Sequence, residues 1–177
     1  MKEKEVFNSG ISTEIIASDN NEMLISYNGN QKHIELPFGV KIIGSNAFAD
    51  NSHIESIVLP SSVTQIKDRA FFKCTSLRHI IIMGNVIEIE EDCFYGCECL
   101  DVLRLPQGTK RIGKRAFDGC KSLKQIIIPS SVKCIEEDTF YGCTKLEDVV
   151  ISEGVKKYVG GHSITVNHFM KSSCLSL

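Results

Sequence analysis

Apolar residues recur along this chain on two scales. The short scale is strand-like alternation: in "LKQIII" (123–128), Leu123, Ile126 and Ile128 take one side while Gln125 and Ile127 take the other, as expected for a strand with one face buried. The long scale is a step of 23 residues, on which Phe48, Phe71, Phe94, Phe117 and Phe140 share one register. Those five account for most of the chain's nine phenylalanines, so the spacing is not chance. Four more apolar columns keep the step. Six residues after each Phe come Ile54, Leu77, Leu100, Leu123 and Leu146; nine after come Ile57, Ile80, Leu103, Ile126 and Val149. Eleven after come Leu59, Ile82, Leu105, Ile128 and Ile151, and five before come Ile43, Ile66, Ile89, Ile112 and Ile135.

A period in the twenties with L-x-x-I-x-[LI] at its centre is the signature of a leucine-rich repeat. One such unit cannot fold alone, because ordering it costs roughly 1.5 kcal/mol per residue and its few apolar side chains can be covered only by neighbouring copies. The predicted fold is therefore a β-rich leucine-rich-repeat solenoid. It has a parallel sheet on the concave face and short turns or 3-10 segments on the other side. Pro60, Pro106 and Pro129 follow the predicted strands, where the missing amide does no harm, and glycine marks the bend in "FYGC" and "FDGC". Lys73 replaces that glycine once and Met83 replaces the proline once, so irregular turns are expected at both points.

The runs "SVTQIKDRAFFKCTSLRHIII" (62–82) and "SVKCIEEDTFYGCTKLEDVVI" (131–151) closely resemble BspA-like leucine-rich repeats, over residues 34 to about 155. The resemblance implies a curved solenoid that recognises proteins, often as an adhesin, and it carries over no catalytic residue. The chain divides on this reading into an N-terminal cap with short strands (1–33), repeats of 23 residues (34–155), a C-terminal cap (156–166) and a flexible tail (167–177). In the first cap "TEIIAS" and "EMLISY" read as a hairpin-like lid, and Ile34 and Leu36 of "KHIELP" start the sheet. Ser163 stands in the next Phe slot, where the repeat fails, and "GGHSITV" reads as a capping strand.

Charge changes the picture little. A formal net charge of −2 offers no basic field for nucleic acid. No apolar run of about 20 residues spans a membrane, and "MKEKEVFNSG" has no signal-peptide character, so the chain as written is expected to be cytoplasmic. The terminal Cys174-Leu175-Ser176-Leu177 fits a prenylation box, which makes Cys174 a candidate lipid site and gives one route to a membrane; membership of a surface protein is the other.

Cys74, Cys97, Cys120 and Cys143 form a column three residues after Phe, with Asn51 in the first unit. The step that sets the leucines also sets these thiols, and parallel side chains do not converge as a disulfide requires, so they are read as small packed hydrophobes. Cys93, Cys97 and Cys99 in "CFYGCEC" have a spacing that matches no common zinc knuckle. None of the five histidines lies in a catalytic or metal motif. No cofactor is expected, and a thiol-based metal or redox role is the remote alternative.

The remaining columns face outward. Ten after each Phe come Val58, Ile81, Arg104, Ile127 and Val150; eight after come Ser56, His79, Val102, Gln125 and Asp148. Aliphatic residues around an arginine on an open sheet suit an interaction surface. The expected function is a non-catalytic scaffold that binds a protein partner through His79, Ile81, Val102, Arg104, Gln125 and Ile127. An adhesin's repeat portion and a prenyl-anchored repeat protein are the alternatives. Just before each Phe, the triplets 67–69, 90–92, 113–115 and 136–138 alternate in net sign, which is read as register control between near-identical units.

Overall fold

β-Branched residues at alternate positions, closed by proline or another turn residue, make each unit's longer strand. A computed structural model describes residues 15–18, 22–151 and 157–158, with the backbone alone at 151, 157 and 158. The longer strands are β3 (His33–Glu35), β5 (Ser56–Leu59), β7 (His79–Ile82), β9 (Val102–Arg104), β11 (Gln125–Ile128) and β13 (Asp148–Ile151). Within β3-β5-β7 and within β9-β11-β13, neighbours pair in parallel at a 23-residue offset, as in Ile57 opposite Ile80 and Ile126 opposite Val149.

A second ladder runs along the other side. Two-residue strands β4 (Ile42–Ile43), β6 (Gln65–Ile66), β8 (Glu88–Ile89), β10 (Arg111–Ile112), β12 (Cys134–Ile135) and β14 (Lys157–Tyr158) pair in parallel. Ahead of them β1 (Ile15–Ala17) and β2 (Met23–Tyr27) form an antiparallel pair, and β2 joins β4 to begin the eight-stranded sheet. The sequence marks the isoleucines of this ladder as buried but does not separate their two-residue strands from the turns around them. Among the described residues no helix is present.

The turns between the two ladders are also bonded from unit to unit. Phe48, Phe71, Phe94 and Phe117 each donate a backbone N–H to the next unit, to Ala70, Cys93, Ala116 and Thr139, at 2.8–2.9 Å. Asn46, Arg69, Asp92, Arg115 and Asp138, two residues before each Phe, all have left-handed φ between 51° and 58°. A left-handed residue turns its amide along the stack axis, so these corners form a third hydrogen-bonded side.

Inside, the phenylalanines form a continuous pile. Phe48, Phe71, Phe94 and Phe117 are fully buried. Successive ring centroids from Phe48 to Phe140 lie 5.0–5.6 Å apart with interplanar angles of 12° or less. Tyr27 covers the N-terminal end of the pile at 5.5 Å and 41°. Beside the pile the cysteine column does more than fill space. Cys74, Cys97, Cys120 and Cys143 donate S–H to the carbonyls of Phe48, Phe71, Phe94 and Phe117 at 3.0–3.2 Å, tying each unit to the one before. Asn51 plays that part in the first unit, donating to Gly29 O at 3.0 Å. Burial pushes the Cys74 and Cys143 thiols up to about 12, and Cys93, Cys97 and Cys120 well above the ordinary thiol value.

The alternating triplets meet as ion pairs. Lys67 lies 3.1 Å from Glu90, and Lys114 lies 2.9 Å from Glu137. The buried Asp92 is held between two arginines: Arg69 Nε donates to Oδ2 at 3.2 Å, and Arg115 Nη2 donates to Oδ2 at 3.1 Å. Arg115 Nε stands 3.0 Å from Asp92 Oδ1, close enough for charge attraction though off the hydrogen-bond line.

Candidate functional site

Because side chains alternate along a strand, the residues between the buried isoleucines must face outward. The structure places all six sequence-predicted residues there. His79, Ile81, Val102 and Arg104 are exposed, and Gln125 and Ile127 are half-buried. Ile81 is 57 % exposed and Val102 46 %, high values for aliphatic side chains. Register places Gln125 beside Val102 and Ile127 beside Arg104. His79 and Ile81 belong to a separate group, in register with Ser56 and Val58.

The two groups are separate because the long-strand side is two sheets of three strands, β3-β5-β7 and β9-β11-β13, with no ladder between β7 and β9. The turn after β7 also differs from its counterparts. The turns that start at Pro60, Pro106 and Pro129 close on themselves, through Val63 N–H to Pro60 O, Thr109 N–H to Pro106 O and Val132 N–H to Pro129 O, at 3.0–3.1 Å. The turn at 83–86 has no such closing bond. Met83 instead has an amide, which it donates to Leu59 O at 3.0 Å, tethering β7 to β5. Gly84 then lies so close on the preceding turn that a Cβ there would come within 1.8 Å of Val63 O.

A cleft of about 390 Å³, half open to solvent, lies at this break, lined by residues 80–82 and 104–107. Its walls are mainly aliphatic, and Ile82 is half-buried where its counterpart Ile128 is fully covered. The second ladder is intact at this level, with Ile112 opposite Ile89, so the units remain joined behind the cleft. The Arg104 guanidinium stands at the lip and makes no ion pair among the described residues. At the start of the break His79 Nδ1 lies 3.4 Å from Asp101 Oδ1, within ion-pair range only when the imidazole is protonated.

Sequence columns locate Ile81 and Arg104 but miss the cleft they share. Its other lining residues, Ile80, Ile82 and Leu105, read as ordinary core positions, and the signal that could have exposed them is Met83 in a proline column. Among the described residues no group of three or more His, Cys, Asp or Glu side chains is arranged to hold a metal ion. Cys174, the candidate lipid site, and Ser163 and "GGHSITV" of the expected C-terminal cap lie outside the described residues.

Comparison with known proteins follows the same lines. A family profile described as "BspA type Leucine rich repeat region" matches residues 20–147 in six copies. A leucine-rich cell surface protein of Faecalibacterium prausnitzii is similar at 32 % identity with a TM-score of 0.72, over 84 % of this chain and 38 % of that one. A leucine-rich repeat protein of Bacteroides ovatus is 30 % identical with a TM-score of 0.64, over 73 % of this chain and 33 % of that one. This chain thus spans well under half the length of either. The leucine-rich repeat protein of T. pallidum, 24 % identical with a TM-score of 0.68 over 89 % of this chain and 86 % of that one, shares the fold. No curated protein matches the sequence.

Proposed function

The chain belongs to the BspA-type leucine-rich repeat family, and on that premise we propose that it is a non-catalytic scaffold binding a protein partner through the solvent face of its long strands. The observation that carries this reading is the aliphatic column Val58, Ile81, Ile127 and Val150, interrupted only by Arg104, on the solvent side of two preformed three-stranded sheets. Rigid backbone beneath these side chains lowers the ordering cost of association. Arginine flanked by apolar surface is a favoured composition for an interface hot spot.

A pull-down from native lysate, comparing wild type with Arg104→Glu, tests the assignment. Partner capture is expected to be lost while circular dichroism and the melting temperature stay unchanged. A collapse of melting would make Arg104 structural and remove the reading.

A second reading is favoured by the F. prausnitzii relative, which is a cell surface protein at 32 % identity. In it this chain is the repeat portion of a longer surface protein, and the partner lies outside the cell. Membrane-impermeant biotinylation of the intact native cell is expected to label the protein, whereas labelling only after lysis would place it inside.

A further inference from the structure

The break between β7 and β9 is a departure from an otherwise regular stack, and it falls on the face assigned to partner binding. We propose that the cleft is a socket for an extended peptide segment of the partner, taking one branched aliphatic side chain whose neighbouring residue presents a carboxylate to Arg104. This inference rests on the preceding reading that this face meets a protein, and it specifies what chemistry that protein must bring.

Two features select that occupant. The walls formed by Ile80, Ile81, Ile82, Leu105 and Pro106 are aliphatic, so the inserted group must be apolar. Arg104 at the lip has no anionic partner among the described residues, and a guanidinium fork matches a carboxylate in two parallel hydrogen bonds.

Geometry also excludes a larger intruder. Inserting a whole strand would require the units to move from one strand spacing of about 4.8 Å to two. The pairing of β8 with β10 behind the cleft holds them together. A side chain can enter and a strand cannot. At about 390 Å³ the cleft has room for a leucine side chain and part of its backbone.

Three capped tetrapeptides separate these contributions in a titration of the ¹⁵N-labelled full chain: acetyl-Ser-Leu-Glu-Ser-amide, the same peptide with Gln for Glu, and the same peptide with Ala for Leu. The Leu-Glu peptide is expected to shift the backbone amides of residues 80–82, 104, 105 and 107 saturably. It should bind at least tenfold more tightly than the Leu-Gln peptide, with no saturable shift from the Ala-Glu peptide. In Arg104→Gln, whose spectrum elsewhere should overlay the wild type, the Leu-Glu advantage should vanish. Equal response to the Glu and Gln peptides, or shifts scattered over other surfaces, would overturn the socket. Partner capture that still depends on Arg104 and Ile127 when no peptide binds would sink the cleft and leave the wider face standing; loss of both results would remove both.

Discussion

At the scale of single residues, the phenylalanine pile runs through the core from unit to unit. Phe94 is fully buried, with ring neighbours at 5.2 and 5.5 Å on its two sides, so truncating it removes contacts to both adjoining units at once. Phe94→Ala is expected to cost about 3–5 kcal/mol, read as a fall in the urea midpoint. A loss under about 1 kcal/mol would show that the stack closes over the gap. The pile was legible in the sequence because one residue type repeats at one interval. The S–H donations of the cysteine column were less so, since thiol spacing alone does not say which carbonyl each sulfur meets. Lys73 illustrates a tolerated misfit. It holds φ 52° where Gly96, Gly119 and Gly142 hold φ 69–72°, and its Nζ lies 5.3 Å from the Phe72 ring centroid, a cation–π contact that offsets part of the strain.

Elements are held in register by charge as well as by shape. A slip of one unit between near-identical repeats would keep every isoleucine covered, but it would set Asp92 against another acidic triplet. Asp92 is the point where this discrimination is strongest, being buried between Arg69 and Arg115. Asp92→Asn is expected to cost about 1–3 kcal/mol, a range that discounts for the partly exposed arginines. A double-mutant cycle with Arg115→Gln should return a coupling energy above about 0.5 kcal/mol, whereas strict additivity would show that the pair contributes nothing specific. The sign alternation of the triplets is readable from the sequence. That it converges on one buried carboxylate is not, because burial depends on how the left-handed corners stack. A second alternating column, Lys32, Glu55, Arg78, Asp101, Lys124 and Glu147, was equally readable and opens with a 2.7 Å pair between Lys32 and Glu55. That lysine's hydrogen bond and charge lower the Glu55 pKa from its ordinary value.

Over the whole molecule, the buried thiols couple stability to alkaline pH. Above the ordinary thiol value of about 9, cysteines of the unfolded chain lose protons that Cys74, Cys93, Cys97, Cys120 and Cys143 keep when folded. The folded state then binds more protons than the unfolded one, so stability is intact below pH 9 and falls as pH rises toward the folded values, by up to about 1.4 kcal/mol per pH unit per thiol. Urea titrations at pH 7, 9 and 10.5 measure that slope. Cys97→Ala should be less stable than wild type at pH 7 yet decline more gently above pH 9. Parallel curves for the two proteins would mean that Cys97 ionises as easily folded as unfolded.

Periodicity alone determined that near-copies of a 23-residue unit stack, which residues are inside, and which columns face water, because those properties follow from local alternation repeated at a constant step. Tertiary structure alone decided where the stack departs from itself. The long-strand side divides into two three-stranded sheets between β7 and β9, at the level where Met83 stands in the proline column, and the division appears only when successive strands are laid on one another. A surface that repetition would have left uniform thereby acquires a cleft at one level, because whether two strands join depends on the distance and alignment of their backbones, which a column of residue types does not state.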